Sequence, residues 1–460
     1  VSQHVDTLVL DEPAAAARAA HAVAALRAAG VPADAGPGAI VASLCGNNAA
    51  AVAARDAATA HGVIHAPINP RLAAPEIAWL LAHTRPRALL VDRDHAALAA
   101  SLTATRAVPL IVLDDHAPAP TPAPIVGDLR DLYTSRAGAT LLFTSGTTGR
   151  PKGCVRTEPR DAARLAELRA SYALAADDVH LITCPLAHSA PGSFLRACRG
   201  VGARTVIQSA FRPRAFLDAI AAHRATVFFL VPTQWQRLLA LPDDVRARAD
   251  LSSVRAAIVA GAPITPDAKA RIIDWLGPGK LFEFYGSSET GTVTVAGPDD
   301  HLAHPGSVGR PPPGVTVTLR DGEVFVDSPA LMDGYLRDDG AVDARPGAIS
   351  VGDLATIDAG GWLTLVDRKH DTIISGGLNV YPAEVERALA EHPDVAGAVA
   401  FGVPDLDPAA LLAFLRARLA GYKLPRALAV CALDDLPIGS SGKALRRAAR
   451  DRFAAALVAV

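Results

Sequence analysis

The chain has 460 residues, half of them hydrophobic and a fifth charged, which allows more than one domain with a sizeable core and excludes a disordered protein. A formal net charge of −2 lacks the basic footprint that nucleic acid demands, so no nucleic-acid partner is expected. The opening VSQHVDTLVLDEP carries neither a basic nor an apolar signal segment, and no apolar run approaches a membrane span; a soluble, cytoplasmic protein is expected.

In chain order, Pro13 to Ala29 reads as an alanine-rich amphipathic helix closed by Gly30. AIVASLC (39–45) reads as a buried strand, and NNAAAVAARDAATAHG as a helix ending at Gly62. RALLVD (87–92), VPLIVLD (108–114) and ATLLFTS (139–145) are further strands, and the Pro-rich APTPAPIVGD is an exposed connector. DVHLITCPL, ARTVIQSA, ATVFFLVPT and VRAAIVAG repeat the strand–helix rhythm, which argues for α/β layers with largely parallel sheets. A helix should begin at Thr265 and Pro266 and end at Gly277. Around 306–366 short strands and tight turns take over, with a hairpin at Arg320-Asp321-Gly322. The five cysteines, Cys45, Cys154, Cys184, Cys198 and Cys431, form no C-x-x-C pair and read as buried, inert thiols.

Four stretches carry chemistry. LLFTSGTTGRPKG (141–153) fails the G-x-x-x-x-G-K-[ST] template, because Arg150-Pro151 separate Gly149 from Lys152. Its hydroxyls and glycines still suit an anion, although such a run also fits a polar turn after a strand. In FEFYGSSETG (282–291), Glu289 can offer oxygen to Mg²⁺ or stand as a solvated loop glutamate. In the third, residues 350–386, Asp353 and Arg368 flank a hairpin, Gly376-Gly377 makes a turn and Pro382 opens a helix. LPIGSSGKALRR (436–447) sets Lys443 behind a Gly/Ser turn, where a solvated surface lysine is the common outcome.

Together and in this order the stretches resemble the AMP-forming adenylate superfamily of acyl- and aryl-CoA synthetases, firefly-type luciferases and peptide-synthetase adenylation domains. The resemblance runs over nearly the whole chain, through LLFTSGTTGRPKG, PLAHSAPG, YGSSETG, VGDLATIDAGGWLTLVDRKHD, ISGGLNVYPAEVE and GSSGKALRR. It implies a large N-terminal domain (1–369) of layered α/β subdomains plus a β-rich subdomain, and a small mobile α+β domain (370–460) carrying the catalytic lysine. It also implies a reaction in which a carboxylate attacks the α-phosphorus of ATP to give acyl-AMP and pyrophosphate, followed by transfer to CoA.

By the same resemblance Thr144, Ser145, Gly146, Thr147, Thr148 and Lys152 hold the β- and γ-phosphates. Ser288 meets the α-phosphate, Glu289 the Mg²⁺, and Tyr285 with Gly286 the adenine beside Gly261, Ala262 and Pro263. Asp353 and Arg368 bind the ribose, and Lys443 bridges the carboxylate and the α-phosphate. His188 stands at the mouth of the acid pocket, with 228–233 and 286–291 as further lining, and a small or aromatic acid is expected. His370 stands where the family's hinge has Asp or Lys, and Gly376 and Gly377 line the acceptor channel. After VAGAVAFGVPD the chain goes straight into LDPAALLAFLRARLAGYKLPR, so the small domain lacks one strand of the family's sheet. That leaves a second reading open, in which the activated group passes to an amine, a carrier-protein thiol or, with nitrite as the activated anion, an aryl diazotisation.

Overall fold

Two large, mostly parallel sheets and a smaller antiparallel one organise the chain, as the alternation of strands and helices predicts. The first has eight strands in the order β17-β16-β7-β6-β3-β2-β4-β5. These are β2 (Ile40–Leu44), β3 (Ile64–Ile68), β4 (Ala88–Asp92), β5 (Leu110–Leu113), β6 (Ala139–Thr144), β7 (Lys152–Arg156), β16 (Gly334–Leu336) and β17 (Val342–Ala344). The second has seven, β1-β9-β8-β10-β11-β12-β13. They are β1 (Thr7–Val9), β8 (Val179–Ile182), β9 (Arg204–Gln208), β10 (Val227–Leu230), β11 (Ala256–Val259), β12 (Leu281–Ser287) and β13 (Gly291–Ala296). The third is antiparallel: β14 (Thr316–Arg320), β15 (Glu323–Asp327), β18 (Asp353–Ile357) and β19 (Leu363–Arg368).

The computed structural model describes residues 6–33, 39–104, 108–113, 139–144, 151–157, 159–344 and 347–369. Beyond them it describes 373–375, 378–380, 382–390, 395, 398–401, 427–428, 437, 445–453 and 458–459. Ser145, Gly146, Thr147, Thr148, His370, Gly376, Gly377, Cys431 and Lys443 lie outside the described residues, as do the connector 118–128 and the stretch read as lacking a strand. Among the described residues no helix is long and apolar enough to cross a membrane.

Local chemistry explains the elements. The helix Glu12–Ala28 starts where the Asp11 side chain accepts from the Ala14 N–H, with Pro13 in the first turn. Its alanine face (Ala19, Ala22) buries against Ala50, Ala53, Ala54 and Ala57 of the helix Ala49–Ala60, small side chains that let the two backbones approach closely. Thr265 caps the helix Pro266–Leu276 through the Ala268 N–H. Asp321 and Gly322 both take positive φ, 51° and 79°, in the two-residue turn that joins β14 to β15.

One strand goes unread in the sequence, and one expectation is corrected. Residues 64–68 form a central strand although Pro67 interrupts them. The Ile64 N–H donates towards β2, at Ala39 O, so by alternation the nitrogen of Pro67 faces β6, whose pairing has already ended at His65 opposite Thr140. Phe228, placed by the sequence among pocket-lining residues, is instead 1% exposed in the core with Phe216 and Trp235, because β10 is a central strand covered on both faces. Burial of this kind contributes about 1.5–3 kcal/mol for each large apolar side chain.

Charged groups join the two large sheets. Arg199, on the helix Ser189–Gly200, donates from Nη1 to both oxygens of Asp56 at 2.9 Å and from Nε to Glu12 at 2.9 Å. Arg196 on the same helix makes a two-pronged pair with buried Asp161. The four described cysteines, Cys45, Cys154, Cys184 and Cys198, are buried thiols with no disulfide among them, as read from their spacing. Burial pushes the Cys184 thiol up to about 12, and those of Cys154 and Cys198 further.

Arg199→Met is expected to cost about 3–5 kcal/mol in urea unfolding, because it strands the Asp56 carboxylate in the interior without its cation.

Candidate active site

In open parallel sheets ligands bind outside the carboxyl ends of the strands. Here the carboxyl ends of the two large sheets face each other. Strands β8, β10, β11 and β12 run parallel, and the segments leaving them carry His188, Val231–Thr233, Gly261–Pro263 and Ser288–Thr290. From the first sheet, the segments after β2 and β3 bring Asn47 and Asn69, and the last residue of β6 is Thr144.

The contacts across this cleft are specific. Asn47 receives the Leu186 N–H at 2.9 Å and donates to Cys184 O at 2.9 Å, which clamps the PLAHS segment from both sides. Asn69 Nδ2 lies 3.2 Å from His188 Nε2, so the imidazole is oriented from the opposite sheet. Thr144 Oγ1 donates to Glu289 Oε1 at 3.2 Å, and the Tyr335 hydroxyl donates to the same oxygen at 3.1 Å. Glu289 is 7% exposed, so it is not the solvated loop residue that its neighbours in sequence allowed.

The turn that carries Glu289 is built from its own hydroxyls. Ser287 Oγ accepts the N–H groups of Glu289 and Thr290, both at 3.1 Å, while Thr290 Oγ1 accepts that of Ser287 at 3.0 Å. Gly286 sits at a bulge between β12 and β13, where a Cβ would come within 2.1 Å of the Gly291 carbonyl; only glycine fits. Ser288 is half-buried, and its carbonyl accepts from Arg156 Nη2 at 2.6 Å. Glu289's own carbonyl accepts the Met332 N–H at 2.8 Å.

Lys152 ends the glycine-rich stretch and begins β7, directly opposite Thr144 on β6. The stretch therefore joins two antiparallel strands, not a strand and a helix as in a P-loop, which is the structural side of the failed template. The Lys152 ammonium stands over the Tyr335 ring, 5.4 Å from its centroid.

A second cluster lies on β12, β18 and β19. Asp353 and Arg368 are opposed in register and joined by Arg368 Nε to Asp353 Oδ1 at 3.0 Å. Tyr285 donates its hydroxyl to the other oxygen, Asp353 Oδ2, at 2.6 Å. Burial, and then the Asp353 carboxylate beside it, push the Tyr285 phenol well above its usual range, so it stays a donor. Gly261, Ala262 and Pro263 follow β11, with Gly261 at φ 97° and Pro263 exposed.

A model of the family described as AMP-binding enzyme matches residues 14–336. The chain belongs to the AMP-binding enzyme family. Similar members include a feruloyl-CoA synthase of Amycolatopsis sp, 35% identical, with 95% of this chain and 92% of the relative covered. An indoleacetate–CoA ligase of Aromatoleum aromaticum is 32% identical, with 83% of this chain and 82% of that one covered. Among solved structures, the amide bond synthetase McbA of Marinactinospora thermotolerans has a TM-score of 0.80 and 30% identity, over 95% of this chain and 93% of McbA. The o-succinylbenzoate coenzyme A synthetase MenE of Bacillus subtilis, in complex with AMP, has a TM-score of 0.76 and 27% identity, over 94% and 91% of the two chains.

Of the residues that the sequence singles out in this AMP-binding enzyme, Thr144, Lys152 and Glu289 come together, as do Tyr285, Asp353 and Arg368. Tyr335, Asn47, Asn69 and Arg156 were missed. Each acts across a gap of more than a hundred residues, or from a short strand, and no local spacing announces it.

Tyr285→Phe leaves Asp353 Oδ2 without its donor, and a loss of about 1–3 kcal/mol is expected from the denaturation midpoint.

Proposed function

We propose that this AMP-binding enzyme is an aryl-acid–CoA ligase. It activates an aromatic carboxylic acid with ATP as the acyl-adenylate, releasing pyrophosphate, and then transfers the acyl group to the thiol of CoA, releasing AMP. The observation that carries this reading is the joint between the two sheets, where Glu289 of one meets Thr144, at the mouth of the glycine-rich stretch, of the other. The aromatic class is supported by the feruloyl and indoleacetate relatives.

In this reading Lys152, Thr144 and residues 145–148 hold the β- and γ-phosphates of ATP, and Ser288 meets the α-phosphate. Tyr285 and the turn 261–263 receive the adenine. Asp353 and Arg368 take the ribose hydroxyls, for which a carboxylate is a natural acceptor of two O–H donors. Lys443 stands between the acid and the α-phosphorus, where negative charge accumulates as the acid oxygen attacks and pyrophosphate leaves. His188 borders the acid, held by Asn69.

Glu289 fits a magnesium site: its protein contacts are hydroxyls on one oxygen, and Mg²⁺ is ordinarily bound by one or two carboxylates with substrate phosphates. When bound, Mg²⁺ supplies charge neutralisation to the phosphates. In the same reading Lys443 serves the first step and Gly376-Gly377 the second.

The amide bond synthetase McbA, covered over nearly its whole length, supports a second reading in which an amine replaces CoA as acceptor.

Pyrophosphate release over a panel of acids, with and without CoA, tests the proposal. Ferulate-type and indole acids are expected to exceed long-chain acids, and mass spectrometry should find the thioester. Adenylation with no thioester, but with amide product when an amine is added, selects the second reading. Lys443→Ala is expected to lower pyrophosphate release about 10²–10³-fold, the scale for removing a donor from developing charge. Asp353→Ala is expected chiefly to raise the KM for ATP, checked by initial rates.

A further inference from the structure

Lys152 and Glu289 both meet one side chain, Tyr335, the first at its ring and the second at its hydroxyl. Strand β16 pairs antiparallel with β7, setting Tyr335 opposite Cys154 and Leu336 opposite Gly153, one step from Lys152. The Tyr335 ring lies under the Lys152 ammonium and its hydroxyl reaches Glu289 Oε1. A lysine and a glutamate that share a neighbour are candidates for an ion pair. Among the described residues these two pair neither with each other nor with any other opposite charge.

We propose that Tyr335 is a positioning residue that keeps Lys152 and Glu289 apart, leaving the cation free for a polyphosphate and the carboxylate free for its metal. The proposal rests on the roles given to those two residues above.

The ring attracts the ammonium through its quadrupole and does not neutralise it, so the N–H donors remain available to an anion. The phenol hydroxyl holds the carboxylate by one hydrogen bond and leaves its charge in place. Thr144 adds its own donor to the same oxygen, and Oε2 has no hydrogen-bond partner among the described residues. At 3.1 and 3.2 Å both contacts are long for hydroxyl donors, and a carboxylate held this loosely can turn as its ligand arrives. Without the ring, lysine and carboxylate would close on each other, and an incoming triphosphate would have to break that pair first.

The test reads binding, not turnover: calorimetric titration of the full chain with ATP, once in Mg²⁺ and once in EDTA, with thermal unfolding of every variant alongside. Two reference variants fix the baselines. Lys152→Ala should weaken ATP in both conditions, and Glu289→Gln only in Mg²⁺. Tyr335→Leu, which removes ring and hydroxyl, is expected to weaken binding about tenfold or more in Mg²⁺ and also in EDTA, because the lysine is then sequestered. Its Tm should stay within about 3 °C of the parent. Tyr335→Phe keeps the ring, so binding in EDTA should be unchanged while binding in Mg²⁺ falls about two- to five-fold.

Parent-strength binding by Tyr335→Leu while both reference variants are weakened overturns the spacer. Equal losses in Tyr335→Phe and Tyr335→Leu overturn it too, since the hydroxyl alone would then matter. If Tyr335→Leu does not fold, Tyr335→Phe decides: a loss in EDTA overturns the proposal. Reference variants that bind ATP like the parent instead overturn the roles given to Lys152 and Glu289.

Discussion

A guanidinium sealed between the two large sheets is the constraint on which the rest depends. Arg199 sits on a helix of the seven-stranded half and holds Asp56 and Glu12, which belong to helices of the eight-stranded half. Arg196, a turn earlier, holds Asp161. Ion pairs of this kind contribute little net energy over an apolar replacement, but they are costly to break singly and they are directional. The effect of the Arg199 pairs is to fix how one sheet's carboxyl edge meets the other's. The contacts of Asn47 with the PLAHS segment, of Asn69 with His188 and of Thr144 with Glu289 all require that alignment.

The site then divides its labour by geometry. On one side, hydroxyls converge on a single carboxylate oxygen at a turn that is itself built from Ser287 and Thr290. On the other, Tyr285 ties β12 to the antiparallel sheet by donating to a carboxylate already held by Arg368. Tyr285 and Glu289 are four residues apart, so one strand and its turn serve both clusters. The bulge at Gly286 is what lets the chain pass from one to the other.

What the sequence made legible was local. Thr265, Pro266 and Gly277 bracket a helix by capping chemistry, and Asp321-Gly322 names its hairpin because few other pairs tolerate two positive φ angles. Asp353 and Arg368 were readable as hairpin partners because fifteen residues with a glycine turn can hardly do otherwise. The family motifs supplied Thr144, Lys152 and Glu289 as a set, but not their contact. What stayed hidden was tertiary. Pro67 disguised a central strand, because whether a missing N–H matters depends on where the neighbouring strand stops. Phe228 was placed in the pocket by resemblance, which assigns a segment and not the face of a strand from which each side chain leaves. Tyr335 lies in a three-residue strand whose partner is found some 180 residues away, and nothing within reach of a local pattern marks it.

The sealed cysteines have a consequence for the chemical company this enzyme keeps. Attack-prone cysteines capture dissolved disulfides as mixed disulfides. Such exchange needs a thiolate. Burial pushes the Cys184 thiol well up from its ordinary range and also denies it an approach. Cys154, directly behind the turn of Glu289 with Sγ 3.1 Å from Ser288 O, is held more firmly still in the neutral form. The cleft between the two sheets is thereby backed by buried sulfur held in its neutral form, and its shape is insulated from the redox state of the surrounding solution.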